Sequence, residues 1–210
     1  MPDLERRFTS HKVEMRRGEG DAPATITGLA AVFDSRSKDL GGFTEIIAPG
    51  AFDDVLKQDT RALFNHDSNI VLGRQGAGTL ELDITPEGLR YVATPPDTQL
   101  VRDMVLTPME RGDVDQSSFG FFIASDGDEW RESKGMVTRT ITKVERLLDV
   151  SPVTFPAYPD ATSAVQRMQE FRKLLTEAPP ADEIELAELR AEIERLRAVV
   201  VKLSGALRHG

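Results

Sequence analysis

From Pro23 to about Tyr158 the chain is cut into short β-branched and aromatic runs by Gly, Pro, Asn and Asp, and this punctuation constrains the fold more than any other feature. Runs of this length are too short for helices and match strands joined by turns. Strands are expected over Thr25–Phe33, Phe43–Ile47, Ala62–Phe64, Thr79–Thr85, Leu89–Ala93, Ser118–Ala124, Met136–Lys143 and Leu147–Thr154. Helical signals interrupt them at Pro49–Leu56 and after Asp97 or Thr98, where Leu100, Met104 and Leu106 recur on one face. A third helix is expected over Thr162–Leu175. The pattern describes an α+β domain with its core in the strands.

Four segments follow: a flexible N-terminal stretch over 1–22, a domain over 23–175, a proline-rich linker over 176–183 and a helix over 184–210. Adjacent Pro179 and Pro180 remove helical donors and favour extended backbone. Beyond them Leu186, Leu189, Ile193, Leu196, Val200, Leu203 and Leu207 alternate spacings of three and four, a heptad seam. With Leu186 at position a, Glu185 and Glu192 fall at g and Arg190 and Arg197 at e. That arrangement suits a coiled coil, and an amphipathic helix folded back on the domain fits the same residues.

Composition removes several function classes. The chain has no cysteine, which excludes disulfides, thiolate zinc sites and a cysteine nucleophile, and points to a reducing compartment. A net charge of −9 argues against a surface built to neutralise nucleic-acid phosphates. The start mixes both charge signs without a signal-like apolar core, and no stretch approaches bilayer length. There is no phosphate-cradling GxxxxGK[ST] loop, and neither metal nor cofactor is expected.

Of three histidines, His11 and His209 lie in polar terminal segments, whereas His66 follows the apolar run Ala62-Leu63-Phe64 within Asn65-His66-Asp67. A rigid strand could present that imidazole, although a histidine between Asn and Asp also suits a plain turn. In Gln116–Phe122, alternation sets Ser117 with Phe119, Phe121 and Ile123 on a core face, and Ser118 with Gly120 on the other. The missing side chain at Gly120 would let a peptide backbone approach. A lone strand serine is also compatible with a structural role. Asp149 interrupts the apolar run Leu147–Phe155. Alternation groups it with Leu147 and Ser151, and a buried carboxylate there needs a partner: an imidazole, backbone amides or Arg146. Hydroxyl, imidazole and acid together could perform acyl transfer, because serine at its free pKa is a poor nucleophile. There is no GxSxG elbow, which lowers the case for an α/β-hydrolase.

These segments resemble the prohead maturation proteases of tailed bacteriophages, a serine protease family related in fold to the herpesvirus assemblins. The likeness rests on Gly28–Phe33, Phe43–Phe52, Asn65-His66-Asp67, Leu72-Gly73-Arg74, Gly78-Thr79-Leu80, Ser118-Phe119-Gly120-Phe121 and Asp149–Tyr158, in the family's order. It implies a compact antiparallel-rich β-barrel flanked by helices, with His66 as base, Ser118 as nucleophile and Asp149 as third member, where relatives often carry Glu. Backbone amides at Phe119 and Gly120, helped by Arg74 or Arg146, are the expected oxyanion donors. The resemblance further implies action inside the immature capsid in the host bacterial cytoplasm. The major capsid protein or its scaffold segment, and the protease itself, would be cleaved there. The C-terminal helix would target scaffold or self-associate, and the linker would be a self-cleavage region. A noncatalytic assembly factor recruiting partners through that helix is the competing reading, and a small-molecule serine esterase fits the chemistry but not the tail.

Overall fold

The computed structural model describes residues 4–9, 11–20, 22–155 and 162–177. Two compact units divide at Met168/Gln169, and the elements that build the site lie in the first. Its strands are β1 (Glu5–Thr9), β2 (Glu14–Arg16), β3 (Thr25–Val32), β4 (Phe43–Ile47), β5 (Arg61–Phe64), β6 (Asp67–Arg74), β7 (Leu80–Ile84), β8 (Gly88–Ala93), β9 (Gln116–Ile123), β10 (Asp128–Ser133), β11 (Met136–Ile141) and β12 (Val144–Val153).

The expected barrel is corrected to three open sheets, ordered β1-β9-β12-β5-β6, β10-β11-β4 and β2-β3-β8-β7. Most pairs are antiparallel; β12 with β5 and β11 with β4 run parallel. Closure would need a partner along β6, but Asp67, Ser68 and Asn69 face water there, as suits an edge strand. The eight expected strands all appear, within a few residues. Strands β1, β2, β6 and β10 were not anticipated, because they are short or rich in charged and polar residues that break the apolar alternation. The first two lie in the stretch expected to be flexible.

The helix after Thr98 runs further than Leu106. Thr98 Oγ1 caps α1 (Gln99–Val101) by accepting from the Val101 amide, and the chain continues through a π-turn (Arg102–Leu106) into α2 (Thr107–Arg111). The wider π-turn precedes Pro108, which lacks an amide proton to give. Around Pro49–Leu56 only a 3₁₀ turn, Asp53–Val55, forms. The last described helix, α3 (Thr162–Glu177), takes in the first residues of the expected linker. The rest of that linker and the heptad segment lie outside the described residues. No helix among the described residues is long and apolar enough to cross a membrane.

Strand β9 is central, laddered to β1 on one edge and β12 on the other. Its core face is fixed by an aromatic stack: Phe119 lies 4.8 Å from Phe121 and meets Phe52 edge-on at 5.6 Å. On the same face Ser117 is fully buried and bonded to the Tyr91 hydroxyl at 2.8 Å. Burial drives that phenol up from its ordinary value of 10.0, against the lowering effect of the Ser117 bond.

Strand β1 is held by charge. Its inward residues Glu5 and Arg7 join Glu45 and Arg139 in a buried network, with Arg7 Nε to Glu45 Oε1 at 2.7 Å and Arg139 Nη1 to Glu5 Oε2 at 2.7 Å. Asp128 accepts from both Arg139 and Arg167. Burial pushes the Glu5 carboxyl up, but its hydrogen bond to Arg139 and the charges of Arg139 and Arg7 outweigh this and hold it below 4.5. Burial likewise opposes the Arg139 charge, and Glu5, Glu45 and Asp128 override it.

Candidate active site

The turn between β5 and β6 is two residues long, since Phe64 pairs with Asp67. Asn65 and His66 therefore occupy both central positions with φ of 53° and 59°, the left-handed pair of a type I′ hairpin turn. Asn tolerates this conformation well, and cross-bonds to the end of β12 secure it. The Asn65 amide donates to the Pro152 carbonyl (3.1 Å), its side-chain Nδ2 donates to Thr154 Oγ1 (3.1 Å), and its Oδ1 accepts from the Thr154 amide (2.8 Å). Asp67 turns instead to Asn69, accepting from its amide at 2.8 Å. The outcome is an imidazole fixed at a strand tip over the β9–β12 ladder.

Two rows of residues cross that ladder on one face. Arg6, Gly120 and Asp149 are register partners across β1, β9 and β12; Phe8, Ser118 and Ser151 form the next row. His66 Nε2 lies 2.7 Å from Ser118 Oγ, and His66 Nδ1 lies 2.5 Å from Asp149 Oδ1. Residues 66, 118 and 149, far apart in sequence, are thus in serial contact. Ser118 is fully buried and the His66 side chain is 7% exposed. A covering side chain must therefore move before a peptide carbonyl reaches Oγ.

Strict alternation along β12 fails at two points, between Val144 and Arg146 and between Leu147 and Asp149. The second bulge inserts a residue opposite β9, so Leu147 packs in the core while Asp149 and Ser151 face His66. Ser151, not foreseen as functional, is fully buried and donates from Oγ to Asp149 Oδ1 at 2.6 Å. Its position two residues from Asp149 was the available signal. At Gly120 a Cβ would come within 2.6 Å of Asp149 Oδ2, so the glycine makes room for the carboxylate.

The anticipated oxyanion donors are not gathered at the hydroxyl. Arg74 pairs with Arg61, three residues and about 10 Å along β5 from Phe64 at the start of the turn. It bonds Asp59 there, and that side-chain bond holds the Asp59 carboxyl down to about 2. Arg146 is exposed and pairs with Phe122, four residues from Ser118, or about 13 Å along the strand. The amides of Phe119 and Gly120 belong to a strand laddered on both edges, which turns them toward β1 and β12.

A hydroxyl, an imidazole and a carboxylate in this order, built on sheet ladders and a hairpin turn, have the geometry of a serine hydrolase centre. The chain belongs to the caudovirus prohead serine protease family, whose model matches residues 11–174 and so includes 66, 118 and 149. No curated protein and no solved structure matches the chain significantly.

Proposed function

We propose that the protein is a serine endopeptidase of prohead maturation in which Ser118 attacks, His66 moves the proton and Asp149 holds the imidazole. The observation that carries this reading is the contact of His66 with Ser118 at 2.7 Å and with Asp149 at 2.5 Å. With the proton on Nδ1 directed at Asp149, Nε2 is free to accept from the hydroxyl. Oγ bonds to the peptide carbonyl carbon as His66 takes its proton. The imidazolium then protonates the departing amine, and water hydrolyses the acyl-enzyme by the same relay.

Membership of the family supports action inside the immature capsid of a tailed phage, assembled in the host bacterial cytoplasm. The substrates in this reading are the scaffold or the scaffold segment of the major capsid protein, and the enzyme itself. Residues beyond Pro180 serve as the recruiting tail, through scaffold binding or self-association.

Co-expression with the capsid protein, read by intact mass, tests the proposal. Wild type should give defined fragments and Ser118→Ala none, with an unchanged fold; fragments persisting in Ser118→Ala would refute it. Deleting residues beyond Pro180 should spare peptide-bond cleavage and abolish incorporation. A noncatalytic assembly factor would show no cleavage by the intact chain.

A further inference from the structure

Arg6 stands on the same face as Gly120, its register partner, one row from Ser118, yet its guanidinium makes no hydrogen bond or ion pair with the described residues. Its Nε is shielded from water and donates to nothing, the sole buried side-chain nitrogen or oxygen of this kind among the described residues. The neighbouring Arg7, by contrast, is engaged by Glu5, Glu45 and the Arg6 carbonyl through all three of its nitrogens. Buried donors are normally paired, and one left unpaired beside the triad calls for an acceptor that arrives from outside.

We propose that Arg6 is the anion-binding residue of the cleft and takes a negatively charged oxygen of the bound peptide. Three features support this and the assignment rests on the endopeptidase reading above. The side chain shares its row with a glycine, so the space above Gly120 is filled only by what neighbouring strands project there; Leu4 Cδ1 already lies 3.7 Å from where a Gly120 Cβ would be. Successive rows are about 7 Å apart, within reach of an arginine working at the Ser118 hydroxyl. The Asp149 carboxylate of the same row is engaged by His66 and Ser151, leaving the guanidinium unneutralised. With no bond to break, Arg6 can also swing aside as substrate enters the covered site.

The oxygen has two sources: the oxyanion formed on the attacked carbonyl, or a carboxylate side chain within two residues of the scissile bond. A guanidinium fork suits both. The full chain and its Arg6→Gln and Arg6→Lys variants should be compared in two assays. One is the rate at which an activated aryl ester acylates Ser118, with release of the phenolate, measured by mass spectrometry; the other is cleavage of a random peptide mixture. An oxyanion role predicts a fall in acylation of about 10²–10³ in Arg6→Gln, partly restored in Arg6→Lys. A side-chain role predicts unchanged acylation, with an Asp or Glu preference near the wild-type cut that disappears in Arg6→Gln. In both cases the melting temperature stays level or rises, since no bond is lost. Equal acylation and equal cleavage preferences in wild type and Arg6→Gln would overturn the proposal, as would a marked fall in melting temperature. Failure of wild-type Ser118 to acylate would instead remove the triad reading, and this assignment with it.

Discussion

Substituting Gly120 by alanine adds one methyl group at the point where the geometry leaves no room for it. The new Cβ would lie 2.6 Å from Asp149 Oδ2, about 0.8 Å inside the 3.4 Å where ordinary contact begins. Strand β9 is pinned by ladders on both edges and by the Phe52–Phe119–Phe121 stack, so the carboxylate must yield. Moving it by that amount stretches its bonds to His66 (2.5 Å) and Ser151 (2.6 Å) together. Misplacement on the order of 1 Å costs about 10²-fold in rate, or about 2.7 kcal/mol of barrier. Backbone entropy favours alanine over glycine in a strand by about 0.5–1 kcal/mol, which offsets part of the steric cost and keeps the fold near wild-type stability. Acylation of Ser118 by an activated aryl ester, alongside a urea melt, separates the two effects. In an Asp149→Ala background the same substitution should add almost nothing, because the group it displaces is gone. Wild-type acylation by folded Gly120→Ala, or full additivity with Asp149→Ala, would refute the reasoning.

Ser151→Ala removes a buried bond to a carboxylate and should lower stability by about 1.5–3 kcal/mol and acylation by about tenfold, checked by denaturant midpoint and labelling rate. Asn65→Gly keeps the positive φ but loses the two side-chain bonds to Thr154, whereas Asn65→Ala loses both; the alanine variant should be less stable by a further ~1 kcal/mol in the same melt. Glu5 has a folded pKa below its ordinary 4.5, so its contribution is complete above that value and lost as pH falls through the folded pKa. Urea midpoints from pH 7 to 3 should fall at the acid end, and Glu5→Gln should flatten that slope. At pH 7 Glu5→Gln leaves buried Arg139 and Arg7 short of a counter-charge and should cost about 3–5 kcal/mol.

What was legible in the sequence was whatever one strand encodes by itself. Ser117, Phe119 and Phe121 point to the core as period-two alternation requires, leaving Ser118 and Gly120 on the opposite face. The burial of Asp149 inside an apolar run announced that it needed a partner, and the partner is His66. What depended on pairing between strands was hidden. The β12 bulge makes Leu147 and Asp149 face opposite ways, and nothing in Leu147-Leu148-Asp149 signals the extra residue. Strand β1 reads Glu-Arg-Arg-Phe-Thr, which by composition suits a solvated segment; only Glu45 and Arg139, from other strands, make its inward charges burial-competent. Arg74 shows the same dependence, since its partner Asp59 comes from a separate loop.

In the proposed mechanism, strand β1 bears on the chemistry through the single proton of the Ser118 hydroxyl. Ser118 Oγ donates to the Arg7 carbonyl at 2.9 Å, while His66 Nε2 lies 2.7 Å from the same oxygen. A hydroxyl has one hydrogen, so when it points at Arg7 the imidazole can only donate to Oγ, and when it points at His66 the Arg7 carbonyl is released. Attack requires the second arrangement. The first is the one in which β1 competes with the base, and the Arg7 side chain that anchors this carbonyl is locked to Glu5 and Glu45. A network that by composition looks purely structural therefore sets where the competing acceptor sits. The N-terminal strand, lying wholly ahead of the matched segment, is by this geometry a wall of the candidate active site.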